Sequence, residues 1–180
     1  MRNHAFTLLL TCASLACTGF VCAQTPAPKA AARPLAPVSA NLAQLMKGLL
    51  FPNSNVIFAA QSDNPADMKP VGDPSLSPNP LLSTYGKWEA VENSALGIAE
   101  AATLLTLPGR TCSNGLPVPL RNPDWAKFVQ ALREAAMISY KAAQAKSQDK
   151  ILEATDSLAT ACANCHDKYR EKPTLAARCK

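Results

Sequence analysis

The chain has 180 residues, with 18 basic and 13 acidic side chains, a formal charge of +5, seven cysteines and two histidines. A surplus that small, without a basic run, gives no electrostatic footprint for nucleic acid. The length suits one domain with a full core, and the absence of strand-like alternation points to an all-α fold.

The N-terminus reads as an export signal. Met1-Arg2-Asn3-His4 is a short basic start, an apolar run follows from Ala5 to Val21, and Val21-Cys22-Ala23 places small residues where a signal peptidase cuts. Residues 1–23 are therefore expected to be cleaved after Ala23, which sends the chain to the periplasm. The run is short for a spanning helix, so no stable membrane span is expected after cleavage. Lipidation of Cys17, after Ser14-Leu15-Ala16, is the weaker alternative because Ser14 stands where Leu is usual. Cleavage removes Cys12, Cys17, Cys22 and His4, and leaves Cys112, Cys162, Cys165, Cys179 and the single histidine His166. With Arg2 gone, 17 basic residues face 13 acidic ones, a charge of +4.

Residues 24–37 are rich in Pro and Ala with almost no apolar bulk, and they read as a flexible spacer. The domain expected over 38–180 then shows four helical patterns. The first has Leu42, Leu45, Met46, Leu49 and Leu50, is interrupted at Pro52, and resumes with Val56, Ile57 and Ala60. It predicts one helix kinked or broken around Phe51-Pro52-Asn53. A Pro-rich stretch from Asn64 to Pro80 is a long loop. Trp88, Val91, Ala95, Ile98, Ala102 and Leu105 then recur at spacings of three and four, the stripe of a helix packed on its neighbours. After a second Pro-rich loop, Pro108 to Pro123, Asn122-Pro123 reads as a cap and first turn. Trp125, Phe128, Leu132, Ala135, Ser139 and Ala142 repeat the stripe, and Ile151, Thr155, Leu158, Cys162, Cys165 and Tyr169 do so again. Pro173 is the expected stop, with Lys168, Arg170 and Lys172 suiting the negative end of the helix dipole. Trp88 and Trp125 read as packing residues. Four helices with these connections make a four-helix bundle the economical fold.

Chemistry concentrates at Cys162-Ala163-Asn164-Cys165-His166. Cys-X-X-Cys-His is the attachment signature of a c-type haem. Thiols three residues apart lie on one helical face and reach the two vinyl groups, and the adjacent histidine offers a ring nitrogen to the iron. A zinc site would need Cys112 and Cys179 to join the pair. A thioredoxin-like dithiol would need a strand–helix context, and a Cys162–Cys165 disulfide would be strained inside a regular helix. Cys112 and Cys179 are the leftover pair in an oxidising compartment, so a disulfide from the second Pro-rich loop to the C-terminal tail is expected.

The motif on the last of four helices, followed by Tyr169-Arg170, resembles the cytochrome c-prime family, the class II c-type cytochromes. The resemblance spans residues 39–172 and is sharpest at Cys162–Arg170. It implies a four-helix bundle in which His166 binds iron and the first helix covers the other haem face with either a methionine or an apolar residue. On this chain that position falls on Leu45-Met46-Lys47, which makes Met46 the candidate sixth ligand. Methionine on an apolar stripe is also ordinary core. Met68 lies in a Pro-rich loop, Met137 lies off its stripe, and no second histidine survives cleavage for bis-histidine ligation. Leu49, Phe51 and Ile57 are candidates to line the haem, and Lys47 or Arg170 to pair a propionate. The expected function is single-electron transfer with a periplasmic redox partner protein. The alternative is a gas-binding cytochrome for nitric oxide or carbon monoxide, with an open sixth position. An enzyme is not expected, because no free histidine remains for distal acid–base work. The family often pairs as homodimers.

Overall fold

The computed structural model describes residues 37–70 and 72–180. The signal segment 1–23 and residues 24–36 of the spacer lie outside them. The described residues are all-helical apart from loops and one isolated bridge between Thr111 and Pro117. No described helix is long and apolar enough to cross a membrane.

The first helical rod has three parts: α1 (Leu42–Leu45), a π-helical turn (Met46–Leu50) and α2 (Phe51–Ser62). Asn41 starts it with a capping box, accepting from the Gln44 N–H at 2.9 Å while its own N–H donates to the Gln44 side chain at 2.9 Å. The expected kink at Pro52 is instead this wide turn immediately before it. Pro52 has no N–H to give Gly48, and its ring crowds that carbonyl. The chain takes up the mismatch as i→i+5 bonding, with the Phe51 N–H donating to the Met46 carbonyl. The Asn53 Nδ2 donates to the Leu49 carbonyl at 2.8 Å, and the rod runs on through Pro52 without a break.

The other three rods are α3 (Lys87–Leu104), α4 (Pro123–Gln144) and α5 (Gln148–Tyr169). α2 packs on α3, α3 on α4, α4 on α5, and α5 returns to α2, so the four rods close around one core. The sequence stripes are what they bury. Val91, Ala95 and Ala102 of α3, Ser139 of α4, and Ile151 and Leu158 of α5 are essentially inaccessible. Small residues let α3 and α2 approach closely: a methyl group at Gly97 would sit 3.2 Å from the Asn53 amide.

Two helix ends differ from expectation. Asn122 precedes α4 without a side-chain cap, and its Nδ2 donates to the Tyr169 hydroxyl at 3.2 Å. α5 stops at Tyr169, before Pro173, where the His166 carbonyl accepts from the N–H groups of both Arg170 and Glu171 at 2.7 Å. Trp88 is packing, as expected, while Trp125 has a second role. Its Nε1 donates to the Leu105 carbonyl at 3.1 Å in a buried setting and fixes the start of α4 against the end of α3. Trp125→Phe keeps the ring but leaves that carbonyl unpaired, and should cost about 1–3 kcal/mol of unfolding free energy. Urea unfolding measures it; a loss under about 0.5 kcal/mol would mean water replaces the indole N–H.

Candidate functional site

α5 begins at Ser147, whose hydroxyl accepts from the Lys150 N–H at 3.3 Å, with Asp149 in the first turn. Its buried stripe runs through Ile151, Ala154 and Leu158 to Ala161. Cys162, Cys165 and His166 come next. At spacings of three and four they share one face, and all three side chains are half-buried. That face opens on a cavity of ≈ 910 Å³, within the range of pockets that enclose a large organic cofactor.

Three other elements complete the wall. The first rod supplies Leu42, Met46, Lys47 and Leu50; α4 supplies Trp125, Phe128, Val129 and Leu132; the disulfide and the C-terminal tail supply Cys112, Arg178 and Cys179. Of the expected site residues, Cys162, Cys165, His166 and Met46 all line this one cavity, as do Lys47, Arg170 and Phe51. Leu49 is exposed and Ile57 is inaccessible core, so neither lines it. Met68 and Met137 pack against the core elsewhere, which leaves Met46 as the methionine at the site among the described residues. The π turn begins at Met46 itself.

Beneath the motif lies an aromatic cluster that the sequence did not single out. The Tyr169 ring meets Trp125 edge-on at 5.1 Å and Phe128 at 6.2 Å. Its hydroxyl donates to the Asp124 carboxylate, which Lys168 also approaches at 3.9 Å. The Tyr169 hydrogen bond is the main cause that holds the Asp124 carboxyl below its usual range. Burial pushes the Tyr169 phenol up, and the Asp124 bond adds to that. These contacts pin the last turn of α5 to the first turn of α4, and so set where the motif points.

Electrostatics separates the chemical options. Burial, then the neighbouring Cys162 and Asp124, push the Cys165 thiol up to about 11, and burial also raises Cys162. Reactive dithiols need depressed values, so the pair is unsuited to disulfide exchange. Burial, helped by Arg170, lowers His166, which leaves a neutral imidazole with a free ring lone pair near pH 7. Cys112 and Cys179 are joined in a disulfide, as expected from pairing the leftovers. That bond removes half of the thiols a four-cysteine zinc site would use. Among the described residues no group of three or more His, Cys, Asp or Glu side chains is placed to hold a metal ion by itself.

The donor set fits a haem. Two neutral thiols and an imidazole stand on one face, the cavity walls are mainly apolar, and the cations Lys47, Arg170 and Arg178 are among the residues that line it, which suits a group carrying two carboxylates. One buried polar atom, Arg178 Nε, has no partner among the described residues. Glu171 and Arg178 are lining residues that the sequence reading missed. The only signal for Arg178 was its position next to Cys179, which the disulfide returns to the loop. Compared with known protein families, curated proteins and solved structures, the chain matches none.

Proposed function

We propose that the chain is a periplasmic c-type cytochrome that carries one covalent haem c and transfers single electrons, built as a four-helix bundle of the cytochrome c-prime type. The observation that carries the reading is the convergence of Cys162, Cys165, His166 and Met46 on a single apolar cavity. The first three are contiguous in sequence, but Met46 comes from the other end of the fold, and nothing in a local motif required it to be there. The closed ring of four rods with the motif on the last supports the family resemblance. A disulfide between Cys112 and Cys179 supports an oxidising compartment.

A bound haem supplies one-electron chemistry by cycling its iron between ferric and ferrous states. The chain's residues do the rest. Cys162 and Cys165 would hold the haem through thioethers, each thiol giving its sulfur to one vinyl carbon and its hydrogen to the other, a net addition that needs no oxidant. His166 would supply a ring nitrogen to the iron, and its backbone carbonyl, bonded twice, anchors the helix end that orients it. Met46, at the start of the π turn, would supply a thioether sulfur to the iron. Trp125, Phe128, Val129 and Leu132 would offer the macrocycle an apolar wall and limit its contact with water. Glu171, the acidic residue in the wall, is paired with Arg170, so a catalytic acid–base group is not part of the proposal.

Optical spectra of the purified mature protein test the reading. Sharp split visible bands on reduction, unchanged by carbon monoxide, are expected. Met46→Ala should broaden them to a high-spin pattern that shifts with the gas. A wild type that already binds carbon monoxide would demote Met46 to packing and make the protein a gas-binding cytochrome.

A further inference from the structure

The C-terminal tail is more than an overhang. Beyond α5 it forms a short 3-10 turn (Leu175–Ala177), and Arg178 and Cys179 then join the cavity wall. Its backbone is tied at several points. Asn114 Nδ2 donates to the Leu175 and Arg178 carbonyls at 2.9 and 3.1 Å, the Cys179 N–H donates to the Tyr169 carbonyl at 2.9 Å, and the disulfide joins Cys179 to Cys112. A flexible side chain has been given a fixed base.

That side chain also holds an unmet donor. Arg178 Nε is buried, and among the described residues no other buried side-chain nitrogen or oxygen lacks a hydrogen bond. Such atoms are rare in folded proteins and point to an acceptor outside the chain. A guanidinium is permanently charged and its planar fork matches a carboxylate, so an anionic acceptor suits it best. The other charged groups facing the cavity are differently placed. Lys47 on the π turn is exposed, and the lining residues of α4 carry no charge. Glu171 lies near enough to Arg178 for the two charges to attract, but its carboxylate is held by Arg170, whose Nε donates to Oε1 at 2.6 Å, and it makes no hydrogen bond or ion pair with Arg178.

We infer that Arg178 anchors a haem propionate, pre-placed for it by Asn114 and the Cys112–Cys179 disulfide. The inference rests on the haem reading above. Arg178 acts as a positioning residue: a carboxylate against its guanidinium stays ionised to lower pH than one facing water.

The test uses the haem-loaded full chain, Arg178→Gln, Arg178→Lys and Asn114→Ala. Covalent haem is measured first in each after denaturation. The reduction potential is then followed against pH, where ionisation of a propionate appears as an inflection. Arg178→Gln should move that inflection upward by about one pH unit, a tenfold change in proton affinity. Arg178→Lys should restore most of it, and Asn114→Ala, which removes two of the tail's ties but keeps the guanidinium, should give a smaller upward move. Full haem content with the inflection unmoved in Arg178→Gln overturns the inference alone. If the Gln variant fails to load, an unmoved inflection in Asn114→Ala overturns it equally. A wild type without covalent haem overturns the haem reading and this inference together, and it is seen before any titration begins.

Discussion

Cys162→Ser/Cys165→Ser should yield a protein from which no haem survives a denaturing gel, while either single variant keeps one thioether and stains. The expected effect is complete because the two sulfurs are the only covalent route proposed, and both line the cavity from adjacent turns of α5. Stability should fall with attachment. Treated as a dry void, ≈ 910 Å³ of largely apolar cavity would cost on the order of 20 kcal/mol, more than the 5–15 kcal/mol that holds a typical domain together. The chain without haem therefore cannot keep this cavity both open and dry. Water enters, or the wall collapses. In the first rod the π turn leaves Lys47, Gly48 and Leu49 exposed, so this wall has an edge open to water. Hydrogen exchange in the double variant should accelerate first over residues 42–50, while the α3–α4 pair stays protected. Wild-type protein with two titratable thiols and no haem would sink the assignment at once.

Local patterns were legible wherever one period governed them. The stripe from Trp88 to Leu105 is buried along its whole length, because a helix with one apolar face has one way to hide it. Haem attachment was legible for the same reason, since Cys162, Cys165 and His166 need only a single helix to share a face. Met46 was harder. Its own stripe marks it as core, and only the resemblance suggested the site; the shared cavity is a property of packing between α5 and a rod far away in sequence. The π turn was invisible for a subtler reason. Pro52 signals that a helix must adjust, but whether it kinks, breaks or widens depends on which carbonyls find other donors, and here the Phe51 N–H reaches back to Met46. Asn122 shows a tertiary contact standing where a local one was expected. As a cap it would serve α4 by itself, yet it donates to Tyr169 and serves the junction with α5. Arg178 could not have been found without the disulfide that carries the tail back to the loop, and no spacing in the sequence encodes where its guanidinium lies.

Cys112→Ser/Cys179→Ser is expected to lose about 3–4 kcal/mol of unfolding free energy with its haem still attached. The bond closes a loop across a sequence separation of 67 residues, which the chain-entropy account values at about 4 kcal/mol through the unfolded state. Part of that is offset in the folded protein. Cys179 sits at φ 62, in the left-handed region, which costs a non-glycine residue about 1 kcal/mol, and a freed tail would relax it. For a domain of this size the net loss lowers the melting temperature by on the order of 10 °C. The location of the change separates it from the first variant. Here the Cys179 N–H, which donates to Tyr169, should exchange freely, while residues 42–50 stay protected because the haem still fills the cavity. A loss under about 1 kcal/mol would mean that Asn114 and the Tyr169 carbonyl hold the tail by themselves. Accelerated exchange over 42–50 would mean instead that the tail, through the loop whose Thr111 carbonyl accepts the Leu42 N–H at 2.8 Å, also clamps the rod that presents Met46.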